Sequence, residues 1–367
     1  MENSLNWCQH NPVRIDCGAG LFDRLGSVVP PEGQVLLVTT AGFTRRGVTG
    51  RVLKQLGAGR VTILDSIMPN PELDALDVAT ERLRTAEIAA IIGIGGGSVL
   101  DAAKVLGVTL PSRLSRPLNQ VFRGGWSHTW DVRLPVIAIP TTSGTGAEVT
   151  PFATVWDHST QRKHSVSGEL LFPTHALLDP YLTTSLPEDE TVYTALDTIS
   201  HGLESLWNKN RTPLSAVLAV EALRLALYAM PRIRQCPADL DGRTAMQQAS
   251  LLAGLAISQT RTAIAHALSY PLTLRFDVPH GLACSFTLEK IIDHYLNDRP
   301  NSPYKSIILE VRALLRSLGL RRRLANYLND DQLRLLLNDA PLAERAGNYE
   351  LQINALEELI PAWPQYE

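Results

Sequence analysis

The chain has 367 residues, 45% hydrophobic and 19% charged, which describes a globular protein with more interior than one ordinary core holds. Its net charge of -3 gives no electrostatic footprint for nucleic acid or an anionic membrane. The N-terminus carries no signal-type apolar run, no segment reaches the roughly 18 apolar residues of a membrane span, and four cysteines without CxxC pairing read as free thiols. The expected compartment is the cytoplasm.

In chain order, β-branched runs at 34–40, 60–65, 88–94 and 135–140 predict strands, with helical patterns at 74–86 and 98–107 between them. Continuous apolar strands alternating with helices predict a mostly parallel sheet covered on both faces. After Leu178-Asp179-Pro180 the pattern turns helical, at 191–209, 214–229 and 243–258, then in charged amphipathic helices to Leu359. The boundary is placed in the Pro180 to Pro187 linker, giving an α/β Rossmann-like dinucleotide-binding domain at 1–183 and an all-helical domain at 184–367.

Two loops follow predicted strands. Gly95-Gly96-Gly97-Ser98 leads into the helix that carries Asp101, where glycines let backbone approach an anion and the helix N-terminus offers free N–H groups. It is neither GxGxxG nor a Walker A loop, and taken alone it reads equally well as a tight turn. Pro140-Thr-Thr-Ser-Gly-Thr-Gly-Ala-Glu148 packs hydroxyls and glycines in the same way. Two such loops at strand ends favour a dinucleotide across the crevice.

In the helical half, Asp197 and His201 are four apart and leave the same face of a helix. His266 lies in AIAHALSY, and His280 follows Pro279, which suits a helix first turn. One carboxylate and three imidazoles suit a divalent first-row ion and leave positions open for water or substrate. The other histidines, His10, His128, His158, His164, His175 and His294, are expected to satisfy local hydrogen bonds. Trp126, Trp130 and Trp207 are expected to pack or wall a pocket.

GGGSVLDAAK, PTTSGTGAE, DTISHGLE, AHALSYPL and PHG, in that order between Val35 and Glu289, resemble the iron-containing (group III) alcohol dehydrogenases. The resemblance implies an NAD(P)-dependent oxidoreductase of the dehydroquinate synthase-like fold, with cofactor across the sheet domain and Fe(II), or Zn or Mn, in the helical domain facing the cleft. It implies Asp197, His201, His266 and His280 as ligands and Gly95, Gly96, Gly97, Ser98 and Asp101 as pyrophosphate-loop positions. Thr141, Thr142, Ser143 and Thr145 are implied as cofactor contacts, with Lys163 near the nicotinamide ribose. A homodimer or larger assembly is usual in such families.

Departures from the family pattern narrow the reading. Tyr270 stands where many members have a second histidine, and a phenol is a poor base at neutral pH. Gln259-Thr-Arg-Thr-Ala263 places Arg261 and two hydroxyls close before His266, suited to an anionic substrate group; the alternative is an ion pair with a neighbouring helix. Together these segments resemble the phosphonoacetaldehyde reductase branch, which forms 2-hydroxyethylphosphonate. Another small aldehyde (sulfoacetaldehyde, glycolaldehyde or a simple aliphatic one) is the alternative. A glycerol-1-phosphate dehydrogenase or dehydroquinate synthase-like enzyme is disfavoured by the intact four-residue set. Val38-Thr39-Thr40 lacks the aspartate common in NAD-preferring members, and with Arg45 and Arg46 nearby NADPH is expected to serve as well as NADH, Thr40 being the cofactor position.

Overall fold

The computed structural model describes residues 6–127, 130–333, 344–353 and 359, and it divides into two compact units. One comprises Asn11–Thr142 with Gly146–Thr184; the other comprises the described residues of Met1–His10, Ser143–Thr145 and Ser185–Glu367. Thus Ser143–Thr145, in the middle of the hydroxyl-rich loop, groups with the helical part of the chain. His128 and the predicted helical stretches at 334–343 and 354–358 lie outside the described residues.

The first unit is built on a six-stranded parallel sheet: β1 (Arg14–Cys17), β2 (Gln34–Val38), β3 (Val61–Leu64), β4 (Ile88–Gly95), β5 (Val136–Pro140) and β8 (His175–Leu178). Their order is β1-β8-β5-β4-β2-β3. Helices α1 (Ala41–Arg45), α2 (Val48–Leu56), α3 (Leu73–Leu83), α4 (Gly97–Thr109) and α5 (Pro117–Phe122) connect the strands. An antiparallel hairpin, β6 (Phe152–Asp157) and β7 (Arg162–Ser167), stands apart from the main sheet. Alternation along β2 and β4 sends Leu36, Val38 and Ile91 into one core with Leu76, Ala102 and Leu106. It sends Val35, Leu37, Ile92 and Ile94 into another with Phe22, Leu25 and Val52. Sequence patterning shows β2 to β5 as apolar runs. It misses β1, β8 and the hairpin, which are four to six residues long and rich in charged or helix-tolerant types.

In the second unit the helices are α6 (Glu188–Leu206), α7 (Pro213–Gln235), α8 (Leu240–Thr260), α9 (Ile264–Phe276), α10 (His280–Ala283), α11 (Leu288–Asp298), α12 (Lys305–Ser317) and α13 (Leu320–Leu324). Helix α6 starts with Glu188, Asp189 and Glu190, whose charges oppose the positive end of the helix dipole. A Thr212–Ser215 capping box with Pro213 at the first turn starts α7, a device that contributes about 1 kcal/mol. By length and composition α7 passes as a membrane-crossing helix, contrary to the expectation that no segment would. Its apolarity has an internal reason: Ala216, Ala219, Leu223, Ala226 and Met230 are buried in one core with residues of α6 and α8. Trp207 is fully buried against Tyr295 and Tyr349, as a packing residue should be, whereas Trp126 is exposed.

Candidate functional site

Helix α6 carries Asp197 and His201 one turn apart on its buried face. His266 sits in the first turn of α9 and His280 opens α10, with Pro279 at the N-cap position just outside the first turn. Around Asp197 Oδ1 stand His266 Nε2 at 3.3 Å, His201 Nε2 at 3.5 Å and His280 Nε2 at 3.7 Å. All four predicted residues therefore converge. Gly281 permits it: a Cβ there would lie 1.7 Å from the Tyr193 carbonyl oxygen, so α10 approaches α6 only with glycine at this position.

A cation of zinc or iron size with ligand bonds of about 2.0–2.3 Å spaces tetrahedral donors about 3.3–3.8 Å apart. The separations from Asp197 Oδ1 fall in that range, so the donor set fits a divalent ion. His266 Nε2 is buried and has no hydrogen-bond partner among the described residues, the state of a nitrogen awaiting a cation. Burial alone would raise the Asp197 carboxyl, but His201, His280 and His266 outweigh it and hold Asp197 well below the usual carboxylate range. His201, by contrast, is pushed down by burial, which keeps a nitrogen lone pair available.

Two residues missed by the sequence reading belong to the site. Glu204, fully buried on α6, accepts from the backbone N–H groups of Ala263 (2.9 Å), Ala265 (2.6 Å) and His266 (3.2 Å). It thereby caps α9, whose own N-cap residue, Ala263, offers no side-chain acceptor. The same carboxylate accepts from His266 Nδ1 at 2.7 Å, which fixes a ring proton on Nδ1 and aims Nε2 toward Asp197. Burial opposes a charged His266, but Cys284, Glu204 and Asp197 outweigh it and raise its pKa well above the ordinary value in the metal-free site. Cys284 is the second: its thiol is buried, 3.5 Å from Asp197 Oδ1, and pushed up to about 11 by burial first of all. The donor atoms of Asp197, His266, His280 and Cys284 all lie within 4.8 Å of one another, a mutual limit that His201 does not meet.

Arg261 and Tyr270 flank His266 along the chain. Arg261 is the exposed C-cap of α8 and adopts φ 62°, ψ 175°, a region that residues with a Cβ rarely enter. Hydrogen bonds hold it there: its N–H donates to Ile257 at 2.8 Å, and its carbonyl accepts from Asn208 Nδ2 at 3.1 Å. Among the described residues its guanidinium makes no salt bridge, so the ion pair weighed as its alternative role is not found. Tyr270 lies four residues after His266 on α9, partly buried.

In the sheet unit, Gly95 ends β4 and Gly97 starts α4, with no side chain capping that helix. A Cβ on Gly95 would meet Val99 at 2.6 Å, so the turn demands glycine, and Gly96 faces Thr142. From β2 the chain steps to β3 on one side and returns to β4 on the other, so these ends flank a topological switch point, where open α/β sheets bind ligands. Thr39 Oγ1 donates to the Ile94 carbonyl at 2.8 Å and ties the two strand ends together. Ser98 Oγ accepts from Asn70 N–H, and Thr141 N–H donates to the Gly95 carbonyl. Asp101 is engaged within the unit: it accepts from Thr154 N–H at 2.8 Å and pairs with buried Lys104 at 3.4 Å. Thr40 caps α1 in position, beside exposed Arg45 and Arg46. Lys163, on β7, lies over the Trp156 ring, while Ser143 presents its carbonyl to Thr198 on α6 and Thr145 follows it in that loop.

Comparison with known proteins agrees with this layout. Residues 12–180 match the iron-containing alcohol dehydrogenase model, and 191–313 match the C-terminal model of the Fe-containing alcohol dehydrogenase family. A phosphonoacetaldehyde reductase of Streptomyces viridochromogenes is 35% identical over 60% of this chain, which spans 56% of that protein's length. A sulfoacetaldehyde reductase of Bilophila wadsworthia is 30% identical over 86% of this chain and 81% of its own. The crystal structure of a sulfoacetaldehyde reductase from Bifidobacterium kashiwanohense in complex with NAD+ superposes with a TM-score of 0.84 at 25% identity, covering 97% of each chain. With both halves of the family matched in order, this chain belongs to the iron-containing alcohol dehydrogenases and is an oxidoreductase of the alcohol–aldehyde type.

Proposed function

We propose that the chain reduces a small anionic aldehyde with NADH or NADPH, phosphonoacetaldehyde first and sulfoacetaldehyde second, using Fe(II) or a similar divalent ion. Asp197, His201, His266 and His280 are its proposed ligands, in the domain assigned to 184–367. The cofactor is assigned to 1–183, with Gly95 to Ser98 at its pyrophosphate. The observation that carries the metal reading is the buried His266 Nε2, which lies beside Asp197 Oδ1 and has no hydrogen-bond partner among the described residues. The relatives named above support the aldehyde class, and the exposed Arg261, which has no carboxylate partner among the described residues, supports the anion. Cysteines that are all free support a cytoplasmic setting.

When bound, the metal supplies Lewis acidity toward a carbonyl, and the reduced nicotinamide supplies the hydride. Asp197 contributes the one carboxylate of the proposed set and moderates the charge there. Glu204 fixes His266 with its proton on Nδ1, so no ring rotation accompanies binding. Arg261 holds the substrate anion, and the Tyr270 hydroxyl donates a hydrogen bond to the substrate oxygen, while the product proton comes from solvent. The test is turnover of phosphonoacetaldehyde, sulfoacetaldehyde, glycolaldehyde and propanal with each nucleotide on iron- and zinc-loaded protein, followed by reduced-nicotinamide absorbance. A kcat/KM for the two anionic aldehydes at least about tenfold above propanal is expected, equivalent to about 1.4 kcal/mol. No preference for the anions discards the substrate reading, and no nucleotide oxidation with any aldehyde discards the reductase.

A further inference from the structure

Cys284 follows His280 by four residues and closes the short α10, so its side chain leaves the same face one turn on. Unlike Cys8, Cys17 and Cys236, which are exposed, it is fully buried. Its sulfur lies 3.5 Å from Asp197 Oδ1 and 3.6 Å from the Gly281 carbonyl oxygen. The first distance matches the separations of the three imidazoles from the same oxygen, as donors that share one cation require. An independent feature points at the same spot. His266 Nε2 is buried with no hydrogen-bond partner among the described residues, and the Glu204 contact to Nδ1 aims it there. The set whose donor atoms are mutually within 4.8 Å contains Cys284 and leaves out His201.

We propose that Cys284 is a metal donor, its thiolate sulfur binding the same cation as Asp197, His266 and His280. This rests on the metal-site reading given under Proposed function and adds a fifth donor to its four, so the ion would be five-coordinate rather than tetrahedral. As the sulfur–metal bond forms, the thiol proton leaves to solvent; no oxidant or reductant takes part. Asp197 and the thiolate together then match the two positive charges of the ion. A soft sulfur donor favours zinc, cobalt or ferrous iron over magnesium or manganese. The competing role for Cys284 is a neutral thiol that donates a hydrogen bond to the Asp197 carboxylate and never touches the ion.

X-ray absorption at the zinc edge separates the two roles. The protein is used full length, with Cys8, Cys17 and Cys236 changed to serine to exclude stray thiolates, and loaded with zinc. Expected is one zinc per chain with one sulfur neighbour at about 2.3 Å, lost in Cys284→Ser. Cobalt loading should give a near-ultraviolet thiolate-to-cobalt charge-transfer band that also disappears in Cys284→Ser. One zinc per chain with only nitrogen and oxygen neighbours overturns the proposal and leaves the metal reading standing. Failure to retain any metal overturns both. Should Cys284→Ser fail to fold, the spectrum of the protein that keeps Cys284 still decides, because sulfur is either at the metal or it is not.

Discussion

The backbone at Arg261 makes a prediction in which strain and charge separate. A residue with a Cβ held at φ 62°, ψ 175° costs on the order of 1–3 kcal/mol. Here the conformation is over-determined by the Ile257 and Asn208 hydrogen bonds. Changing Arg261 to Gly removes that strain but loosens the unfolded chain by roughly 0.5–1 kcal/mol, leaving a net gain of about 1 kcal/mol. In a unit of this size that raises Tm by roughly 2–4 °C. Arg261→Ala keeps the strain and should leave Tm unchanged. Both substitutions remove the guanidinium, whose hydrogen bonds to an anion are worth about 1.5–3 kcal/mol. Both should therefore raise KM for phosphonoacetaldehyde or sulfoacetaldehyde roughly ten- to hundredfold while sparing propanal. The assays are differential scanning calorimetry on metal-loaded protein and steady-state kinetics on the paired aldehydes. Equal KM changes for charged and uncharged aldehydes refute the anion role. A glycine variant no more stable than the alanine variant refutes the strain.

Four further outcomes follow from the metal site and from buried Glu148. Glu204→Gln removes the charge behind His266 Nδ1 and is expected to weaken metal affinity by about 10–100-fold, measured by competition with a chelator; unchanged affinity would deny Glu204 its positioning role. Glu204→Ala also uncaps α9 and leaves a buried partner unpaired, a loss of roughly 3–5 kcal/mol in denaturant unfolding. Gly281→Ala drives a methyl into the Tyr193 carbonyl and should push α10 off α6, abolishing stoichiometric zinc binding in equilibrium dialysis. Glu148, buried and held at about 7 by burial against its ordinary 4.5, contributes full stability below pH 4.5 and loses it as pH rises through 7. Glu148→Gln should then raise Tm relative to the parent at pH 8 and change it little at pH 4; the reverse order would contradict the sign.

What sequence could disclose was set by range and by company. Strands β2 to β5 are apolar runs between helical patterns, and short-range periodicity finds them. Strands β1 and β8 read RIDC and HALL, too short and too mixed for periodicity; they exist because the sheet offers them edges, β8 beside β5 and β1 beside β8. In the site, helical spacing links Asp197 to His201, and the same stripe runs one step further. Glu204 continues it at three more residues, and an acidic side chain on an otherwise buried helix face implies a partner. That the partner is the first turn of α9 could not be known from α6 alone. Cys284 has no cysteine at bridge or paired-ligand spacing, so cysteine spacing alone is silent about it. Its informative neighbour was a histidine four residues earlier. The lesson is chemical: a ligand on a helix makes the residues three and four positions away candidates for the same ion or for the group that orients its ligand, whatever their type.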